Sequence, residues 1–397
     1  MTSSQKAPLE YRAPIIAGFV ASVSGSAATF GIAIAGLIAV GASADQTFTA
    51  IFVLLIAYGL LSTFLSYRYK MPISIVWSTP GAAFLAASAG LGLEFNQAVG
   101  GFLLSGVLLT LTGFWPFLSK LVTSIPSTIA NAMLAGVLFT FVISTVVAAV
   151  DYTALVLPVV VIWLVLYRLA PVWASPVAIL IAFGLIGFGL EPSWLEGVRF
   201  LPNFEIVVPA FDLVAMVSIG IPLYLITMAS QNVPGIAIMK SFGYIVPVRA
   251  TIGSTGIATI LSSFLGGFGM NLAAITAALN ANEHAAKDPS RRWFASFAGG
   301  LVYLLFALGA GLFSAFVLEV PRELLLAVVG LALLPSFISS IGTSLEDKST
   351  RLPAAITFLV GAAGISAFGI GGAFWALIAG LLVLGWQNLP LTKQDRV

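Results

Sequence analysis

Four clusters of small and neutral polar residues interrupt an otherwise apolar chain, and any chemistry has to be built from them. The first is Ser22, Ser24, Gly25, Ser26 and Thr29, and the second is Ser78, Thr79, Pro80 and Gly81. The third is Ser230, Gln231, Asn232, Pro234 and Gly235, and the fourth is Gly269, Met270 and Asn271. Small residues at the spacing of the first cluster equally allow close helix packing. Two adjacent amides before a helix-disrupting Pro, as in the third, are expensive at membrane depth unless partnered. The second and fourth clusters each read as the start of a helix, where unpaired backbone N–H groups and aligned peptide dipoles present about +0.5 charge. Two such ends meeting make an anion site without Lys or Arg. The pattern favours a small anion or a strongly polar neutral ligand over a cation. Phe30, Trp77, Tyr224 and Phe268 are candidates to line a pocket around a planar ring, with packing against protein or lipid the alternative for each of the 46 aromatic residues.

The remaining composition restricts what these clusters can serve. Of 397 residues, 59% are hydrophobic and 8% charged, against about 25% charged in a soluble domain. A soluble globular protein is excluded. The 17 Lys+Arg and 15 Asp+Glu nearly cancel to +2, which leaves no basis for a nucleic-acid partner. With no Cys and one His, disulfides, thiol catalysis, iron–sulfur or haem–thiolate sites and zinc sites needing several soft ligands are excluded, and no cofactor or metal is expected. An enzyme would need a nucleophile–base or metal constellation at depth, and none is available. His284, beside Glu283 and Lys287, reads as a solvated helix end. The first 12 residues are polar, and the apolar stretch after them exceeds a signal-peptide core, so it reads as a first membrane span.

A charge at the bilayer centre costs at least about 2.5 kcal/mol, so charge-free intervals mark the spans. They run 13–44, 46–67, 71–93, 95–119, 121–150, 152–167, 169–190, 213–239, 250–282, 293–318, 324–345 and 352–394. Most match the roughly 17 to 25 residues of one crossing. The interval 352–394 holds two helices, with Gly369, Gly371 and Gly372 as the turn. The 33 residues of 250–282 are too many for one helix and too few for two. If that interval crosses twice and both termini are cytoplasmic, 15 of the 17 Lys+Arg fall on one side, with only Arg199 and Arg322 opposite. This is the positive-inside pattern, and it gives fourteen spans with no charge at mid-depth.

Two crossings in so few residues require extended backbone, which advances about 3.3 Å per residue against 1.5 Å in a helix. The sequence predicts a helix near 250–265, an extended stretch near 266–270 and a short helix from about 271 to 284. The interval 71–93 offers a counterpart. Ile73 to Thr79 is β-branched and Ser/Thr-rich, and Pro80 suits a first helical turn. Spans three and ten are thus part extended and part half-helix, and they hold corresponding places in two halves of seven. An odd number of spans per half makes the halves inverted. The fold class expected is an all-α polytopic membrane protein, with 14 spans in a 7+7 inverted repeat divided at residues 1–200 and 201–397. A Pro-rich, acidic linker at 191–212 joins them.

Several runs carry a family resemblance: Pro14-Ile15-Ile16-Ala17-Gly18-Phe19, Trp77-Ser78-Thr79-Pro80-Gly81-Ala82-Ala83, Asn232-Val233-Pro234-Gly235, and Gly266 through Thr276. They resemble the benzoate/proton symporters of bacterial inner membranes, which are distantly similar to nucleobase permeases and sulfate-type anion transporters. The resemblance covers essentially the whole chain. It implies a core domain of about 13–119 plus 210–316, a gate domain of about 120–200 plus 317–390, and uptake of benzoate with protons by alternating access. In the nucleobase permeases acidic residues stand where Gln231 and Met270 appear here, a departure that suits a substrate bringing its own carboxylate.

The expected substrate site is Ser24, Gly25, Ser26, Phe30, Trp77, Ser78, Thr79, Pro80, Gly81, Gln231, Asn232, Phe268, Gly269, Met270 and Asn271. The carboxylate would lie between backbone N–H groups of 79–82 and 270–273, and the ring among Phe30, Trp77 and Phe268. The expected partners are a benzoate-like anion, protons and the lipid bilayer, and a homodimer is compatible with the sequence. A nucleobase or other small-anion carrier, or an anion channel, is the alternative.

Overall fold

The computed structural model describes residues 11–115, 124–188, 198–320, 322–365, 367–368 and 370–389. Its first half contains α1 (Arg12–Ala39), α2 (Ala44–Tyr69), β1 (Ile75–Trp77), α3 (Thr79–Ala87) and α4 (Phe95–Phe114). There follow α5 (Ser127–Asp151), α6 (Thr153–Leu169) and α7 (Pro171–Gly187). The second half contains α8 (Leu213–Ser241), α9 (Val248–Ser263), β2 (Met270–Leu272), α10 (Ala274–Ala281) and α11 (Trp293–Glu319). It closes with α12 (Arg322–Ser344), α13 (Arg351–Ala362) and α14 (Gly372–Gln387). Among the described residues, six helices are long and apolar enough to cross a membrane: α1, α2, α4, α5, α8 and α11 with the turn before it.

Local chemistry sets the helix ends. Ser43 with Gln46, and Glu94 with Gln97, form reciprocal capping boxes that start α2 and α4. Asp288 and Asp347 accept from Ser290 and Ser349 in the turns before α11 and α13, and these hydrogen bonds hold both carboxyls below the usual carboxylate range. Within α8 the backbone widens twice into π-helix, at Met216–Gly220 and Met228–Asn232. Each widening contains the residue four before a proline, Ser218 before Pro222 and Ser230 before Pro234. A proline offers no N–H to that carbonyl and its ring clashes with it. The disruption expected at Pro234 is therefore a widened turn, with the helix continuing through it.

Helices approach closely where both carry glycine. A Cβ on Gly59 of α2 would stand 2.9 Å from the Gly300 oxygen of α11, and one on Gly106 of α4 would stand 3.2 Å from the Gly256 oxygen of α9. Likewise Gly299 of α11 faces the Gly18 oxygen of α1 at 3.3 Å, and Gly220 of α8 faces the Gly101 oxygen of α4 at 2.8 Å. Without water to drive association, such backbone proximity and dispersion hold helices together in lipid. Elsewhere α5 packs on α12 and α13, α6 on α7, α13 on α14, α1 on α3, and α8 on α10.

The extended backbone expected in the third and tenth segments is present. It forms a two-stranded antiparallel ribbon in which Ile75 faces Leu272, Val76 faces Asn271 and Trp77 faces Met270. The tenth segment differs from expectation in its boundaries. Extension reaches Ala273, whose N–H donates to the Ser74 oxygen at 2.9 Å, and the helix starts at Ala274 instead of about 271. Pairing with β1 draws Met270–Leu272 into the strand, a long-range effect that local residue preferences do not encode.

Candidate functional site

The ribbon and the half-helices leaving it bound a cavity of about 240 Å³. Its walls come from α1 (Ser24, Gly25, Ser26, Thr29), α2 (Tyr58), the β1–α3 junction (Val76, Trp77, Thr79) and α8 (Gln231). The half-helix α10 (Ile275, Thr276, Leu279), α11 (Tyr303) and residues of α7 and α12 complete them. None of the lining residues is charged. A second cavity of about 390 Å³ lies at the far end of α3, between Ser88–Leu91 and α5, α13 and α14.

Six of the expected site residues line the first cavity: Ser24, Gly25, Ser26, Trp77, Thr79 and Gln231. The Ser24 and Ser26 hydroxyls are buried and meet no protein partner. The Trp77 indole N–H donates to Thr29 Oγ1 at 3.1 Å, and Thr29 in turn donates to the Gly25 oxygen at 2.9 Å. This relay fixes the ring against the wall. Gln231 Oε1 accepts from the Ala274 N–H at 3.3 Å, which leaves its two amide N–H bonds for a ligand.

The other expected residues support the site from behind. Phe30 packs edge-on against Trp77 at 5.3 Å and stacks on Phe313 at 4.8 Å. Phe268 is fully buried beside Phe102, away from the cavity, and Tyr224 is hydrogen-bonded to Thr112. Neither lines the cavity. Ser78 caps α3 by accepting from Gly81 N, and a Cβ on Gly81 would stand 2.6 Å from Leu223, so Pro80 and Gly81 serve the turn and its packing. Asn232 accepts from Leu272 N at 2.9 Å, tying α8 to the ribbon. Met270 N donates to Thr259 Oγ1, and Gly269 O accepts from Ser78 N. Asn271 is fully buried with both ends of its amide unpartnered.

These contacts change which groups are free. Of residues 79–82, Gly81 and Ala82 donate to Ser78 and Pro80 has no N–H, which leaves Thr79 alone. In the 270–273 stretch, Met270, Leu272 and Ala273 donate within the protein. The strand register pairs Asn271 with Val76. The free N–H groups lie further along, on Ile275 and Thr276 in the first turn of α10. Tyr58, Tyr303 and Thr276 also line the cavity, outside the expected set. The sequence signal for the tyrosines is a phenol in an apolar span, which needs a partner for its hydroxyl.

The chain is a mostly helical, polytopic membrane protein with the fold of anion transporters. It aligns with the transmembrane domain of a cyanobacterial bicarbonate transporter, BicA, at a TM-score of 0.59 and 16% identity, covering 95% of this chain and 98% of that one. It also aligns with murine Slc26a9 in an inward-facing state, at a TM-score of 0.59 and 14% identity over 96% and 70% of the two chains. By sequence the chain belongs to the benzoate membrane transport protein family, which it matches over residues 10–385. It is 30% identical to the benzoate membrane transport protein of Acinetobacter baylyi over 86% of each chain. It is 34% identical to the inner membrane protein YdcO of Escherichia coli K12, over 92% of this chain and 93% of that one.

Proposed function

We propose that the protein takes up benzoate or a similar aromatic carboxylate across a bacterial inner membrane, together with a proton, by alternating access. The observation that carries this reading is the character of the cavity. It combines aromatic walls with hydroxyl, amide and backbone N–H donors and contains no fixed charge. Donors suit a carboxylate, which only accepts hydrogen bonds when ionised. The absence of an acid suits proton carriage on the substrate itself, as the neutral carboxylic acid.

The topology we assign is fourteen crossings in two inverted halves, with both termini cytoplasmic. The packing supports it, because contacts recur when each helix is exchanged for the one seven later. Thus α2 on α11 corresponds to α9 on α4, α1 on α3 to α8 on α10, and α6 on α7 to α13 on α14. The contact of α5 with α12 maps onto itself. The glycine crossings Gly59–Gly300 and Gly106–Gly256 obey the same exchange. In this reading α1–α4 with α8–α11 form the core that carries the substrate, and α5–α7 with α12–α14 form the gate.

Purified protein tested by calorimetry against benzoate, uracil and sulfate checks the substrate class, with benzoate expected to bind and the others not. Gln231→Ala is expected to weaken benzoate binding at least tenfold, the scale of a hydrogen bond to a charged group. Unchanged affinity would remove the α8 amide from the site. Uptake into proteoliposomes that continued unaltered after collapse of the pH gradient would refute proton coupling.

A further inference from the structure

Two tyrosines from helices outside the four polar clusters meet at the cavity. Tyr58 and Tyr303 are 1% and 2% exposed, and their rings lie 4.7 Å apart, edge to face. Tyr58 also meets Trp77 edge to face at 5.5 Å, so three aromatic rings form one continuous wall. Both tyrosines line the cavity; the Tyr303 hydroxyl is buried without a hydrogen-bond partner, and Tyr58 makes no side-chain hydrogen bond among the described residues. The hydroxyls of Ser22 and Thr276 stand near Tyr303 without reaching hydrogen-bonding geometry. A buried phenol normally satisfies its hydroxyl, because leaving it unmade costs free energy that the ring's burial does not require. Two phenols on adjoining rings, at a wall already suited to a flat ring, call for an acceptor with two oxygens.

We propose that Tyr58 and Tyr303 donate to the carboxylate of the substrate and so set the preference for aromatic carboxylates over uncharged aromatics. The proposal rests on the reading of this cavity as the substrate site, and it assigns the carboxylate's principal donors to α2 and α11. Their ring edges would flank the substrate ring while Trp77, held by Thr29, closes one face.

The test is binding of benzoate and of nitrobenzene, a neutral molecule of nearly the same shape, to the parent, Tyr58→Phe, Tyr303→Phe, Gln231→Ala and Ser24→Ala proteins. Each Tyr→Phe change keeps the ring and removes one donor. Benzoate affinity is expected to fall tenfold or more in each Tyr variant, while nitrobenzene affinity stays within about twofold, because a neutral nitro group gains little from a phenol donor. Parallel loss of both ligands would overturn the proposal by showing that the tyrosines only pack. So would unchanged benzoate affinity in both Tyr variants beside a loss in Gln231→Ala or Ser24→Ala, and then the cavity reading would survive. Unchanged affinity in all four would remove the cavity reading as well. Melting curves of each variant establish that the fold is retained, and the ratio of the two affinities is read within one preparation, so partial unfolding cannot mimic the expected result.

Discussion

Asn271 is buried with neither its amide oxygen nor its nitrogen engaged, and each such unmade hydrogen bond costs about 1–3 kcal/mol. Leu has nearly the same shape and nothing to satisfy. Asn271→Leu is therefore expected to melt no lower than the parent, and, if the amide is engaged in another state of the proposed transport cycle, to lose uptake by roughly tenfold. A lower melting temperature with full uptake would contradict this. At this scale Ser24, Ser26 and Gln231, which line the cavity, are legible in the sequence because a polar side chain among apolar ones is conspicuous and has a price in lipid. The sequence did not expose Tyr58 or Tyr303, since a mid-span place, which they share with Tyr224, does not tell which phenols reach the cavity. Phe268, expected beside the ring, does not line the cavity. It lies beside the fourth cluster in sequence, but its backbone turns it toward Phe102.

Among the elements, the glycine crossings concentrate the packing. A Cβ on Gly300 would fall 2.3 Å from Thr63 Oγ1 and 2.7 Å from the Gly59 oxygen, which is backbone and cannot move aside. Gly300→Val is expected to lower stability by about 1–3 kcal/mol or more by overpacking, measured as an earlier thermal transition in detergent. Gly342→Val, where an added Cβ meets nothing within 4 Å, serves as the control. The broken segments were legible from the number of residues available to cross the bilayer, because that argument needs no knowledge of partners. Their boundaries were not. Whether Met270–Leu272 ends as strand or as helix depends on Ser74–Trp77, some 200 positions away in the chain. The π-helical turns of α8 were announced only as prolines.

For the molecule as a whole, the ribbon ties α3 to α10, and Asn232 and Gln231 tie α8 to the same backbone. The two half-helices are thereby bound to one body, and the proposed displacement of core against gate carries the core walls of the site together while Pro171, Pro335 and Ser336 stay with the gate. The uncharged lining has an electrical consequence for that displacement. Moving one elementary charge through a membrane potential changes its energy by about 2.3 kcal/mol per 100 mV. A carboxylate accompanied by one proton is neutral, and the empty site contributes no charge of its own on the way back. Neither half of the cycle then does work against the field. Uptake at a fixed pH gradient is expected to be the same in vesicles held at zero and at about −100 mV by potassium and valinomycin. A several-fold acceleration at the negative potential would mean that more than one proton accompanies each carboxylate.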